Sequence, residues 1–328
     1  MAQSAATNAD MLTRAITIAN RAPSAHNTQP WLWRRTDSAV DLFIETDVAL
    51  RHADPDGRDA TVGLGAALHH LQLALALEGR RADIRPFPRT FDPRHIARVT
   101  FATLHAPTED ERSLAEAIGV RRTDRRGYDN RPVASDLVAD LIARAAHHDV
   151  SAIRVTDEAR RACLTGAAHR AAAVHAEDAA YQIELAAWSG LRSSDEGVPG
   201  PSVVRSAPDA ELPARAFAGG ASDVEASNGA TGDLIVIASA LDDRAAQLRA
   251  GQATSEILLA ATRSGLATCP VTEPLEIAEF RDEIRETVLD GNDFPQIILR
   301  VGRPMAGAPE LPLSPRRPIE DTLVDDAR

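Results

Sequence analysis

Lysine is absent from this sequence: all 36 basic residues are arginine. A lysine Schiff base or a lysine general base is therefore excluded. Cysteine is nearly absent as well. Cys163 and Cys269 lie far apart and match no zinc-ligand spacing, so neither a disulfide framework nor a zinc site is expected, and a reducing cytoplasm fits. Aromatics make up only 4%, which leaves the core to Ala, Leu, Ile and Val. Basic charge is in deficit, with a net charge of −12 at pH 7. That argues against a general nucleic-acid binder, which needs a cationic face to displace counterions. Residues 1–10 are polar and hold no apolar signal core. No apolar run is expected to reach the roughly 18–20 residues that cross a bilayer. A Gly-x-Ser-x-Gly nucleophile elbow and a Gly-rich dinucleotide fingerprint are both missing. These absences predict a soluble cytoplasmic protein without nucleic-acid or membrane partners.

What is present suffices for a sizeable core: 328 residues, 44% hydrophobic and 26% charged, point to one large domain or two fused units. Periodicity predicts a helix over 11–21, a hairpin from 31–33 and 40–44, an apolar helix over 64–77 closed by Gly79, and a strand over 97–102. Helices are predicted again over 114–120 and 137–145, a strand over 152–155, and one or two helices over 159–188. A strand over 234–238, an apolar helix over 251–264 closed by Gly265 and a strand over 296–301 complete the series, followed by a Pro-rich tail. A weak internal repeat runs through this order. Gly65 and Gly79 are spaced like Gly251 and Gly265, and each pair is followed by Phe-Pro and then by an arginine-bearing strand, Ile96-Ala-Arg-Val or Ile298-Leu-Arg-Val. Residues 189–232 are rich in Gly, Pro, Ser and Ala and have no period; they read either as a lid or as a surface loop.

Four segments carry chemistry. Residues 22–31, Ala-Pro-Ser-Ala-His-Asn-Thr-Gln-Pro-Trp, set amide and hydroxyl groups between Pro23 and Pro30, which suits the edge of a flat heterocycle and equally suits a capped turn. Residues 121–126, Arg-Arg-Thr-Asp-Arg-Arg, offer forks for a phosphate or a solvated basic run. Residues 267–273, Ala-Thr-Cys-Pro-Val-Thr-Glu, read as an irregular loop whose backbone N–H groups could face a ligand. At 299–304, Gly302 allows close approach and Arg303 adds a cation.

Together these segments resemble the FMN-dependent nitroreductases. Pro-Ser-Ala-His-Asn-Thr-Gln-Pro-Trp looks like that family's flavin-contacting loop, and Arg-Arg-Thr-Asp-Arg is similar to its phosphate motif. Gly-Leu-Ala-Thr-Cys-Pro (265–270) resembles the motif before its loop over flavin N5, and Arg-Val-Gly-Arg-Pro (300–304) its C-terminal phosphate-side motif. The motif order, the length and the tail Pro-Arg-Arg-Pro-Ile-Glu (315–320) look like the Acg subfamily of actinobacteria, over nearly the whole chain. The departures matter. Family members open with the arginine motif and carry the Pro-Ser loop after it, and two subunits share two flavin sites. Here the arginine motif is missing from the N-terminus, and His147-His-Asp-Val-Ser151 stands where a second Pro-Ser loop would be.

The resemblance thus implies an α+β nitroreductase-like fold, internally duplicated so that one chain mimics the homodimer, with halves at 1–118 and 119–328 and one flavin site. It implies FMN as cofactor. Arg121, Arg122, Thr123, Arg125 and Arg303, with Arg300 in the same motif, would lie on the phosphate side. Ser24, His26, Asn27 and Gln29 belong to the flavin loop, with Ser24, Asn27 and Gln29 on the pyrimidine edge. The backbone at Thr272 and Glu273 would face N5. Arg126 has no certain place. No protein acid or base is required, because the cofactor carries the chemistry. NAD(P)H and a nitroaromatic or quinone would be the ping-pong substrates; the alternative is an FMN store covered by 189–232. A single chain would complete the site, with further dimerisation open. Metal ligation is discounted: His69 and His70 cannot share a helix face, and His169 and His175 miss the i, i+4 spacing.

Overall fold

The computed structural model describes residues 2–36, 38–189, 195–207, 209–217 and 229–325. Helix α1 spans Ala2–Ala19 and leads into strands β1 (Trp31–Arg35) and β2 (Ala39–Ile44), helix α2 (Arg58–Leu77), β3 (Asp83–Pro86) and β4 (His95–Thr100). Helices α3 (Glu109–Val120) and α4 (Ser135–Ala143) follow, then β5 (Ser151–Arg154), α5 (Glu158–Glu177), α6 (Ala179–Ala187) and β6 (Asp233–Ser239). Next come α7 (Arg244–Arg263), β7 (Ala267–Val271), α8 (Glu273–Glu276), α9 (Ala278–Val288), β8 (Phe294–Gly302), α10 (Ile319–Thr322) and β9 (Leu323–Asp325).

The duplication is plain in the topology. The first sheet has the order β3-β4-β2-β1-β9 and the second β5-β6-β8-β7. Matching β1-β2-α2-β3-β4 to β5-β6-α7-β7-β8 gives the same strand order, antiparallel at every shared pairing. Helices α2 and α7 each have 20 residues, and Gly65 and Gly251 both stand at the eighth. Those glycines are where the two helices cross. A Cβ on Gly65 would overlap the Leu248 carbonyl oxygen, one on Gly251 the Val62 carbonyl oxygen, and each would lie 2.9 Å from the other glycine's Cα. The repeat marker in the sequence is therefore the contact that joins the halves.

Alternation along β6 and β8 serves two layers. Ile235, Ile237, Leu299 and Val301 pack with α7, α3 and α4, while Leu234, Val236, Ala238 and Ile298 pack with α5 and α9. The first sheet presents Trp31, Trp33, Val40, Leu42, Ile96 and Val99 to α1 and α2. The tail then returns to this sheet: β9 pairs in parallel with β1, so the last strand lies with the first half. A buried chain from Trp33 Nε1 to Asn20 Oδ1 (2.9 Å) and from Asn20 Nδ2 to Thr322 (2.7 Å) anchors it.

Several expectations need correction. Helix α1 is longer than its apolar face suggested. Residues 267–271 form an edge strand rather than an irregular loop; the edge tolerates Pro270, which has no N–H to donate. Helix α2 is long and apolar enough, by length and composition, to cross a membrane, contrary to the reading of apolar runs. It is instead a core helix, clamped against α7 and carrying buried Arg58, Asp59, His69 and His70. Of the 189–232 segment, residues 190–194, 208 and 218–228 lie outside the described residues. Its described parts contain one short 3-10 turn, Gly200–Ser202, and place Val198, Val203 and Phe217 in a cluster with Leu50, Ala53, Tyr181 and Leu185.

Candidate functional site

The 22–31 loop has an unusual backbone. His26, Asn27 and Gln29 all occupy the left-handed region, at φ 49°, 58° and 54°. That region is uncommon for residues with a side chain and costs about 1–3 kcal/mol each. Hydrogen bonds hold the loop there. Gln29 N donates to Ser24 Oγ (2.9 Å) and Gln29 Nε2 to the Asp195 carbonyl (2.9 Å), while Gln29 Oε1 accepts from Arg317 N (2.9 Å). Asn27 Nδ2 donates to the Gly197 and Pro315 carbonyls (3.1 Å each), and Asn27 Oδ1 accepts from Arg316 (2.9 Å). The tail and the 189–232 segment thus fix the loop from outside.

Beside the loop lies a cleft. The first half supplies Ser24, His26 and, from the start of α2, Asp59, Val62, Gly63 and Ala66. The second half supplies Thr254, the β7–α8 corner from Cys269 to Glu273, Ile297 and Arg300. Leu212, Ala214, Arg215 and Phe217 cover it. Arg215 is tied down by Glu276, Tyr181 and Thr272, and Phe217 meets His26 edge to face with centroids 5.3 Å apart. Arg125 lies over the Phe217 ring, 5.0 Å from its centroid. Burial, then Arg215 and Arg125, pushes the His26 pKa well down, so this ring is neutral. Glu273 accepts from His175 Nδ1 (3.2 Å).

Asp59 is a carboxyl facing this cleft, and burial, then Glu276, pushes its pKa up. Its neighbour Asp54 caps α2, accepting from the N–H groups of Asp59 (3.0 Å) and Ala60 (2.8 Å). Burial, then Asp59, pushes the Asp54 pKa from 3.8 up to about 7. Between those pH values the native state holds a proton that the unfolded chain has released. Stability is therefore expected to fall as pH rises through this window and to level above it. Urea melts at pH 5 and pH 8 test this: Asp54→Asn should lose that part of the decline, and identical pH dependence in both proteins would contradict it.

A second, smaller cleft adjoins the first and shares Pro23, Ser24, Thr123 and Arg125 with it. It is lined by Arg121, Arg122 and Arg316. Arg121 is buried, and neither its Nε nor its Nη1 has a partner; the buried Nε atoms of Arg21 and Arg316 lack one too. Burial, then Arg122 and Arg21, pushes Arg121 down to about 10, and burial, then Arg121, Arg21 and Arg122, pushes Arg316 down to about 9. Guanidinium groups do not deprotonate in proteins. The depressed values express the cost of gathering four cations with no carboxylate among the residues lining the cleft, a cost that a bound anion removes.

The structure brings together most of the residues expected from the sequence. Ser24, Thr123 and Arg125 line both clefts; His26, Thr272, Glu273 and Arg300 line the larger; Asn27, Arg121 and Arg122 line the smaller. Asn27 therefore stands beside Arg121, Arg122 and Arg316. Gln29 lines neither cleft: it is fully buried, and its amide is spent on Asp195, Asn27 and Arg317. Arg303 lines neither, because its carbonyl accepts from Asp129 N (2.9 Å) and its Nε turns to the Pro132 carbonyl (3.3 Å). Arg300 donates to the Thr231 and Arg126 carbonyls and lies over the Tyr128 ring, which braces the 125–128 segment. Arg126 pairs with Asp124 (2.7 Å), which settles its place. Missed from the sequence were Arg316, Arg21, Asp59, Arg215 and Phe217. Only Arg316 carried a signal, a cation in a Pro-Arg-Arg-Pro tail.

A duplicated α+β architecture with adjoining clefts lined by residues of both halves fits a nitroreductase fold. The family model described as "Nitroreductase family" matches residues 118–303. The Mycobacterium tuberculosis H37Rv protein described as "Putative NAD(P)H nitroreductase Rv3131" is 41% identical over 321 residues, covering 96% of this chain and 92% of that one. A second protein of that strain, "Putative NAD(P)H nitroreductase acg", is 35% identical, covering 96% and 95%. A crystal structure of "a putative nitroreductase" from Anabaena variabilis superposes with a TM-score of 0.57 at 10% identity, over 90% of this chain and 88% of that one. The chain belongs to the nitroreductase family, and its relatives place it in the Acg subfamily.

Proposed function

We propose that the chain binds one FMN across the two clefts and uses it to oxidise NAD(P)H and reduce a nitroaromatic or quinone. The observation that carries this is the set of buried, unpartnered arginine nitrogens beside the smaller, polar cleft, which shares Ser24, Thr123 and Arg125 with the larger, more apolar one. Arg121, Arg122 and Arg316 would hold the phosphate, with Ser24 and Thr123 between phosphate and ring. His26, Thr254, Arg300 and the Cys269–Glu273 corner would surround the ring. Bound there, FMN supplies two-electron transfer between nicotinamide and acceptor in ping-pong order. The chain's part is to bind, orient and exclude water. Neutral His26 adds no charge beside the ring, and Arg125, Arg215 and Arg300, set against the carboxyls of Glu273 and Asp59, supply cations along the larger cleft that suit a flavin gaining negative charge. NAD(P)H as reductant follows the names of the two mycobacterial relatives.

A second reading, FMN sequestration, is favoured by one feature. Arg215 and Phe217 close the larger cleft and are held by an ion pair to Glu276 and by the His26 and Arg125 contacts. A cover that stays shut denies the second substrate its stacking space; one that opens permits turnover. The absorption spectrum of the isolated protein, before and after anaerobic NADPH, tests the first reading. Flavin bands that bleach within minutes and return on adding a nitroaromatic are expected. Bands that never bleach support storage, and a protein that neither carries nor binds FMN refutes both.

A further inference from the structure

The second repeat has a corner that the flavin reading does not use. Where the first half carries its Pro-Ser loop, the second carries His147 and His148 in a 3-10 turn, Arg144–His148, between α4 and β5. That turn packs on α7 and faces Glu256. From the other half, α2 brings in His69, and the two imidazoles meet with centroids 5.4 Å apart and planes at 87°. One nitrogen from each of His69 and His148 and one oxygen of Glu256 all lie within 4.8 Å of one another.

We propose that His69, His148 and Glu256 form a binding site for a divalent transition-metal ion, zinc or one of its neighbours, at the pole of the molecule where the duplicated site has been lost. The donor set is two imidazoles and one carboxylate, which such ions take at about 2.0–2.2 Å. Two imidazoles on one tetrahedral ion at those lengths have ring centroids about 5 Å apart, close to the separation seen. His148 Nε2 and Glu256 Oε2, now 2.8 Å apart, need to part by only a few tenths of an ångström to admit an ion between them. The His69 ring is already oriented: its Nδ1 meets Ser255 Oγ at 2.9 Å, leaving Nε2 as the free donor, an arrangement typical of metal-ligating histidines.

The surrounding charges agree. Around Glu256, Arg144 and Arg263 face Asp110, Asp140 and Glu256 itself. Two cations against three carboxylates leave a net negative charge for an incoming ion. Arg144 and His147 use Oε1 of Glu256 (3.1 and 2.8 Å), whereas His148 uses Oε2, so one carboxylate oxygen is already turned to the histidine pair. The exposed His147 lies at the solvent side and marks the way in.

The test is titration of the full-length, untagged, EDTA-treated protein with cobalt chloride. One equivalent is expected to develop visible d–d absorption that zinc chloride abolishes. His148→Ala should weaken binding by at least about a hundredfold and Ser255→Ala, which frees the His69 ring, by about tenfold; His169→Ala, away from this corner, should leave it unchanged. Zinc should also raise the melting temperature of wild type and of His169→Ala but not of His148→Ala. Should His148→Ala fail to fold, Ser255→Ala and the wild-type spectrum still decide. No cobalt band at near-millimolar metal, or equal binding in wild type and every folded variant, overturns the site and leaves the corner a hydrogen-bonded ion-pair network. None of these readouts depends on flavin.

Discussion

Gly251→Ala is expected to cost the protein about 3 kcal/mol or more of stability, the reverse of what helix propensity dictates. In an exposed helix interior the same change gains about 0.5–1 kcal/mol, because alanine loses less backbone freedom than glycine. At Gly251 the new methyl would overlap the Val62 carbonyl oxygen of the partner helix, which is backbone and cannot rotate away. Overpacking of a core commonly costs about 1–3 kcal/mol, and more where rigid groups collide. Helices α2 and α7 would have to move apart, and since each half lends residues to one cleft, the cleft would widen with them. Gly65→Ala should behave alike through the Leu248 carbonyl, and the double variant should cost less than the two singles combined, because one separation relieves both clashes. Gly119→Ala, in an exposed part of α3 with open space around it, is the control and should be neutral or slightly stabilising. Urea melts of the four variants measure this; a Gly251→Ala protein as stable as wild type would show that the helices do not cross there.

That contact also shows how far the sequence reached. The two Gly pairs were visible as a repeat because helices of equal length, closed by left-handed glycines, punctuate a chain at a fixed spacing. Their meaning as a crossing point was not visible, because close approach of two backbones leaves no periodic trace. The strands β2, β6 and β8 were legible because buried runs of Val, Ile and Leu announce themselves. Strands β3 and β7 were not: Asp83–Pro86 is mostly exposed, and Ala267–Val271 carries a proline that only an edge position permits. In the site, the arginine run could be read because four forks stand together in sequence. Arg316 is nearly two hundred residues away and joins them only because α10 and β9 carry the tail back to the first sheet. Gln29 and Arg303 were misread for the complementary reason. Both belong to motifs of the right composition, but the backbone around each spends its polar groups on neighbouring chain, on Arg317 and Asp195 in one case and on Pro132 and Asp129 in the other. The His69–His148–Glu256 corner went unconsidered, because His69 was weighed only with its neighbour His70 on one helix, a test blind to groups that two halves bring together.

Under the flavin reading, Arg121→Met should separate ligand affinity from stability, with opposite signs. The substitution keeps the buried stem and removes a charge whose Nε and Nη1 have no protein partner. A charge-assisted hydrogen bond contributes roughly 1.5–3 kcal/mol, so FMN binding should weaken by about ten- to a hundredfold, read by quenching of flavin fluorescence. Without flavin, however, Arg121 is pressed against Arg122 and Arg21, and Arg316 feels all three. Removing the buried member of this group of four mutually repelling cations should raise the melting temperature of the flavin-free protein. Saturating FMN should then reverse the order, because binding stabilises by RT ln(1 + [L]/Kd) and wild type has the smaller Kd. Arg316→Met is a less clean probe, since Arg316 also holds Asn27 and the Arg21 and Ala22 carbonyls, and it should lose affinity without gaining stability. A merely structural Arg121 would lower the melting temperature in both states and leave flavin affinity in place. Crossing of the two melting curves on adding FMN is the signature of a cluster kept at a cost in stability because an anionic group completes it.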